Sequence, residues 1–377
     1  MTGRRSPAAG NLILALVSSV VFVALLEVGA RTWDRIRNGT PFFLPEPAKS
    51  LYRPHPYLPI ALRPGSDYRD NDTSGHINAL GLRGPERTIE KPPGTLRVIC
   101  VGGSTTFGAG ILGDENTYPA RLEEHLARAL PDRRVEVWNA GVPGYTTAED
   151  VIYLGLRLID FHPDLIVLYE GYNDFKPNRY PGFVSDYSHW RDREVVPRRG
   201  LLDHLRFYVK MGSLAARLTS RGGEGGDTAA QVIDPRSGDK LRRFDTVGEE
   251  GLAAFRRNLE TMIAISRKAG AEVALATYAH PCTGENLSAH PDLFTYLPAY
   301  LPNLTFKGAL DAFDRYNEAI RRVAEKEGAL LADAARVIPA DTSLFVDHVH
   351  YNAKGADLFA GVVAAAILPV MKSGAPR

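Results

Sequence analysis

At 377 residues with 44% hydrophobic side chains, the chain can bury one large core, or one core with an appendage. Its 45 Lys and Arg against 44 Asp and Glu leave a formal charge of +1, which excludes a general electrostatic pull toward nucleic acid or acidic polymers. Two cysteines, Cys100 and Cys282, are too few for a disulfide scaffold or a Cys-x-x-Cys metal site and are expected to be packed free thiols.

The first element is hydrophobic. Residues 12–26, LILALVSSVVFVALL, run uncharged behind Arg4 and Arg5 and stop at Glu27. As a helix this core reaches only about 22 Å, short of a hydrocarbon layer of about 30 Å. Extended from Asn11 to Ala30, with Glu27 near the interface and Trp33 beyond it, the segment reads as an uncleaved signal anchor, with residues 1–39 as anchor and flank. Cleavage after the small residues 28–30, VGA, is the alternative, and would give a secreted protein. Arg31, Arg35 and Arg37 outweigh Arg4 and Arg5, so the basic residues do not set the orientation; the main domain is expected outside the cytoplasm.

Residues 40–96 are rich in Pro, Gly and Asp and read as an extended lead-in carrying one short hairpin, packed on the main domain. From residue 97 to 372 short apolar runs alternate with helical periodicity, which argues for a mostly parallel five-stranded sheet in a three-layer α/β domain. The runs are LRVICV (96–101), RVEVWN (134–139), DLIVLYE (164–170) and AEVALATY (271–278). Leu122, Leu126 and Leu130 mark one crossover helix behind Pro119, and a second is expected at the capping box Thr146 to Glu149. Further helices fit residues 249–270 and 309–328, and a last one follows Asn352 as cap. Residues 175–247 interrupt this order as an insertion, within which 220–240 read as a mobile surface loop.

The stretch VICVGGSTTFGAGILG (98–113) ends a strand in a glycine turn, and three chemistries use such a turn. A phosphate cradle needs a lysine where Ala109 stands, so it fails. The dinucleotide fingerprint GxGxxG is matched by residues 108–113, but these lie beyond the turn and do not open the next helix, so no NAD-type cofactor is expected. A serine nucleophile at Ser104 requires a base, an orienting carboxylate and oxyanion donors at other strand ends. Each is present. FVDHVHYNAKG (345–355) supplies Asp347 and His350 three residues apart before the final helix, WNAGVPG (138–144) offers the backbone N–H of Gly141, and YEGYNDF (169–175) offers the amide of Asn173. In a doubly wound sheet these loops share one crevice.

Four blocks in this order, GGST with Ser104, NAG with Gly141, GYND with Asn173 and DHVH with Asp347 and His350, resemble the SGNH hydrolases, the wider family that includes the GDSL esterases. The serine block departs from the literal G-D-S-L at Gly103 and Thr105. The resemblance implies a flavodoxin-like α/β/α fold, Ser104 as nucleophile, His350 as general base then acid, and Asp347 as its orienter. It further implies an oxyanion hole from the N–H groups of Ser104 and Gly141 and the Asn173 amide. The implied activity is serine esterase on a small-molecule or carbohydrate ester, without a cofactor. The same residues would serve an O-acyltransferase, and a polysaccharide-binding or assembly protein could keep the fold without turnover. The anchor and lead-in are similar, more loosely, to membrane-tethered bacterial members acting on envelope or exported polysaccharide. The oligomeric state is left open.

Some residues have plainer readings. Gly141 could serve only a positive φ angle, and Asn173 only a turn. Tyr172, Phe107 and Tyr145 could line the acyl or alcohol pocket or simply pack in the core. His348 and His350 form a His-x-His pair beside Asp347, but His280 and His290 are isolated in the sequence, so no metal site is expected and His348 is read as a neighbour whose side chain points outward.

Overall fold

The structure, a computed structural model, describes residues 7–38, 51–69, 72–194, 211, 232–233 and 240–373. The chain divides into two compact units, residues 1–50 with 195–230 and residues 51–194 with 231–377. In the first, α1 runs from Pro7 to Asn38. Its stretch Gly10–Trp33 is 24 residues long with a mean hydropathy of 2.5, about 36 Å as a helix, which is enough to cross a bilayer.

The second unit is built on five parallel strands: β1 (Thr95–Gly102), β2 (Arg134–Asn139), β3 (Leu165–Tyr169), β4 (Glu272–Ala276) and β5 (Leu330–Ala332). Their spatial order is 2-1-3-4-5. β1 and β3 are buried along their whole length, as central strands of a doubly covered parallel sheet must be, Arg97 of β1 included. In the register, Cys100 of β1 lies between Asn139 of β2 and Val167 of β3.

The helices between and after the strands cover both faces. α2 (Tyr118–Ala129) and α6 (Ala353–Ser373) pack together; α3 (Thr147–Leu156) packs on α4 (Glu249–Lys268), which packs on α5 (Phe306–Glu327). α2 carries Pro119 in its first turn and turns Leu122 and Leu126 fully inward, each worth about 1.5–3 kcal/mol of burial. α3 begins at the expected capping box, where Thr146 Oγ1 accepts from Ala148 N at 3.3 Å and Glu149 Oε2 accepts from Thr146 N at 2.8 Å. The Asn352 side chain accepts from Gly355 N at 3.0 Å at the head of α6. That helix is itself long and apolar, but Phe359, Val363 and Ile367 are fully buried in the core.

The lead-in forms two antiparallel pairs where one hairpin was expected, Tyr52–Arg53 with Ala61–Leu62 and Ser66–Arg69 with Ser74–Ile77. Two buried arginines tie it down. Arg97 pairs with Glu136 at 3.1 Å and donates to the carbonyls of Thr88, Ile89 and Glu90. Arg83 pairs with Asp114 at 2.8 Å and donates to Phe107 O and Gly108 O, the end of the turn that carries Ser104. The expected mobile loop 220–240 lies outside the described residues, apart from Val232–Ile233 paired with Lys240–Leu241. Cys100 and Cys282 are buried free thiols.

Candidate active site

The strand order reverses between β1 and β3, and their carboxyl ends open the crevice in which such sheets bind ligands. β1 ends at Gly102, and Ser104 is the first residue of the short helix Ser104–Phe107. The tight turn depends on Gly103: a Cβ there would lie 2.5 Å from Asn173 Nδ2 and 2.8 Å from Glu170 Oε2. The loop after β2 brings Gly141 so close that a Cβ would overlap Phe107 N. Gly141 is not among the positive-φ residues, so close approach rather than backbone handedness explains it.

The last loop completes the geometry. His350 Nε2 is 2.7 Å from Ser104 Oγ, and His350 Nδ1 is 2.7 Å from Asp347 Oδ2. Asp347 Oδ1 accepts from the backbone N–H groups of Val349 and His350, each at 2.8 Å. Burial would raise the Asp347 carboxyl, but the His350 ring and these hydrogen bonds outweigh it and hold the group well below the usual carboxylate range. An ionised Asp347 accepts only, so Nδ1 carries the proton and Nε2 is free to accept from the serine hydroxyl. Unactivated serine is a poor nucleophile, and this chain of contacts sets a base within hydrogen-bond reach of the Ser104 hydroxyl.

The expected oxyanion donors have differing partners. The Asn173 carboxamide, 3% exposed, donates through Nδ2 to Tyr145 O at 2.6 Å and accepts at Oδ1 from Tyr300 Oη at 2.6 Å. One amide hydrogen remains on the nitrogen that lies against Gly103. The Gly141 N–H donates to Asn139 Oδ1 at 3.0 Å, and the Asn139 amide in turn donates to Phe107 O at 3.1 Å.

His348 departs from expectation. Its side chain is buried, with the residue 3% exposed, and Nε2 sits 2.5 Å from Tyr172 Oη. Burial lowers the ring to about 4, with Asp347 opposing and His350 adding to the shift, so it is a neutral core histidine. The aromatic rings of Tyr172 and Tyr300 lie against it, contacts that the sequence around His348 does not show. Tyr172, Phe107 and Tyr145 are likewise fully buried, which favours core packing. Among the described residues no cluster of His, Cys, Asp and Glu has the arrangement of a metal site.

Tyr300 and Glu170 were not anticipated. Tyr300 ends the short helix Leu297–Tyr300, in a segment without periodicity, and reaches Asn173 only through the fold. Glu170 precedes the asparagine block; Oε1 accepts from Gly171 N at 2.9 Å while Oε2 is buried without a hydrogen bond. Burial, then the charges of Asp150 and Asp174, push its carboxyl well above the ordinary range. Behind it Asp150 is raised in the same way, and Asp174 is pushed up to about 7 by burial against hydrogen bonds from Thr147 and Tyr187. The signal that could have found Glu170 is a charged residue directly after an otherwise apolar strand.

The family described as GDSL-like Lipase/Acylhydrolase matches residues 100–358, more than half of the chain. No curated protein matches the sequence. Among solved structures, the chain is similar to the acetyl xylan esterase AlAXEase at 18% identity and a TM-score of 0.41, covering 72% of this chain and 100% of that one. It is also similar to the lipase/acylhydrolase from Enterococcus faecalis, at 17% identity and a TM-score of 0.40, over 73% of this chain and 96% of the other. LAE5, an alpha/beta hydrolase enzyme from the metagenome of Lake Arreo, Spain, matches at 18% identity and a TM-score of 0.40, over 72% and 94%.

Proposed function

This chain belongs to the GDSL-like lipase/acylhydrolase family, and from that premise we propose that it is a serine esterase working through an acyl-enzyme on Ser104. The observation that carries the reading is the unbroken relay Ser104 Oγ, His350, Asp347, with both heavy-atom separations at 2.7 Å. Ser104 Oγ attacks the ester carbonyl as its proton passes to His350 Nε2, and the imidazolium then protonates the departing alkoxide. Water then attacks the acyl carbon as its proton passes to the same nitrogen, and collapse of the intermediate breaks the bond to Ser104 Oγ, which takes that proton back as the acid leaves. Asp347 stays ionised and fixes the tautomer.

The developing oxyanion is received by the Ser104 N–H, the remaining Asn173 amide hydrogen and the Gly141 N–H. A full negative charge is a stronger acceptor than the Asn139 carbonyl, so the Gly141 N–H turns to it or is shared between both. α1 tethers the enzyme to a membrane, with the catalytic unit on the extracytoplasmic side.

The test is hydrolysis of 4-nitrophenyl acetate and longer acyl esters by the full chain in non-ionic detergent. Ser104→Ala and His350→Ala are each expected to remove nearly all turnover while leaving the unfolding midpoint within a few degrees. Wild-type-like rates in either variant sink the mechanism. Turnover that requires an added sugar acceptor, with acyl sugar as product, would reassign the site to acyl transfer.

A further inference from the structure

A second cleft lies against the loop that carries Gly141. It is half-open, with a volume of about 20 Å³, and walled by Val142, which directly follows Gly141. Adjacent Cα atoms are about 3.8 Å apart, so this wall is continuous with the expected oxyanion loop. Tyr145 and Tyr153 form its floor, rings 6.0 Å apart and crossed at 88°.

Two guanidinium groups and one imidazole converge on it. Arg53 comes from the first lead-in strand, His55 follows two residues later, and Arg157 is the C-cap of α3. The two guanidinium groups donate to neutral carbonyls: Arg157 Nη2 to Leu80 O at 2.6 Å, and Arg53 Nε to Leu62 O at 3.4 Å. Among the described residues, none of the three has a carboxylate within salt-bridge distance. The two fully buried arginines of this unit, Arg83 and Arg97, each hold one. The acid beside Tyr153 is Asp150, which is fully buried and pushed toward its neutral form. His55 is itself driven toward neutrality, by burial first and then by the two guanidinium groups. Beside it the exposed Tyr57 ring stands edge-on, at 6.2 Å between centroids.

Two guanidinium groups gathered in a sheltered cleft without a counter-charge repel one another, and the planar fork of arginine suits a carboxylate or phosphate. We propose that this cleft is an anion subsite that receives a carboxylate or phosphate group carried by the ester substrate. The inference rests on the esterase reading and deepens it: the substrate is an acidic ester, whose reacting carbonyl lies at Ser104 and whose anion lies against the Gly141 loop.

The experiment compares two substrates of the full chain in detergent, acetylated methyl glucoside and acetylated methyl glucuronoside, which differ by one carboxylate. Acetate release is expected to give a kcat/KM ratio of roughly ten or more in favour of the acidic ester, the worth of about one charge-assisted contact. That ratio is expected to fall toward one in Arg53→Gln and in Arg157→Gln, and to recover in part in Arg53→Lys. Inorganic phosphate at about 10 mM is expected to raise the wild-type unfolding midpoint by about a few degrees, and not that of either glutamine variant. A ratio near one in the wild type, or a ratio unchanged in both folded variants, overturns the proposal. Phosphate stabilisation combined with a ratio near one assigns the cleft to a free phosphate and overturns the substrate subsite. If neither ester is hydrolysed, the esterase reading fails by itself, and the phosphate shift still decides whether the cleft binds anions: its loss in both glutamine variants supports that, and its absence in the wild type overturns it.

Discussion

Removing the Tyr300 hydroxyl is expected to slow the enzyme through Asn173 alone. The Asn173 amide is fixed by two short hydrogen bonds, to Tyr145 O and from Tyr300 Oη, both at 2.6 Å. Tyr300→Phe deletes the second and keeps the ring, which stacks on Tyr172 at 5.4 Å and 16°. A single buried hydrogen bond contributes about 0.5–1.5 kcal/mol net. At about 1.36 kcal/mol per decade, its loss from transition-state positioning lowers kcat roughly two- to twelvefold. Full removal of an oxyanion donor in Asn173→Ala costs about a hundredfold or more. The assay is steady-state kinetics on a short-chain 4-nitrophenyl ester for wild type, both single variants and the double variant. KM is expected to change little, because the donor acts mainly on the transition state. In the Asn173→Ala background the phenylalanine is expected to do nothing further, a coupling of about 1 kcal/mol. Equal losses in both backgrounds would refute positioning through Asn173, as would an unchanged kcat in the single variant.

Other outcomes follow from the same geometry. Asp347→Asn is expected to lower kcat by roughly a thousandfold or more, because an amide can donate to Nδ1 and select the wrong imidazole tautomer; retention of a tenth of the wild-type rate counts against the orienting role. Gly141→Ala forces a methyl group into Phe107 N, so chemical denaturation should show a loss of about 1–3 kcal/mol together with reduced activity. The buried acids give a pH signature. Asp174, pushed up to about 7 in the folded protein, holds a proton that the unfolded chain releases near about pH 4. Stability from this group is therefore full below about pH 4 and falls as pH rises toward 7, by about 1.36 kcal/mol for each pH unit crossed. Urea midpoints at about pH 5 and pH 8 should show the fall, and Asp150→Asn should make it shallower; equal midpoints in the wild type would contradict the assignment of protons to this cluster.

Local signals determined much of this protein. β1 to β4 are apolar runs long enough to read directly, the helices carry apolar stripes and caps, and Ser104, Gly141, Asn173, Asp347 and His350 stand at loop positions that the chemistry requires. β5 escapes such a reading because three residues, Leu330–Ala332, are too short to show a period. The tertiary structure decided everything that depends on contacts across long separations. His348 turned inward because Tyr172 and Tyr300, distant in sequence, form the wall it meets. Tyr300 found Asn173 from a segment without regular pattern, and Arg53, His55 and Arg157 gathered around one cleft. Periodicity and caps are properties of neighbouring residues, so they are written in the sequence; the partners of a buried polar group are set by packing, which only the folded chain fixes.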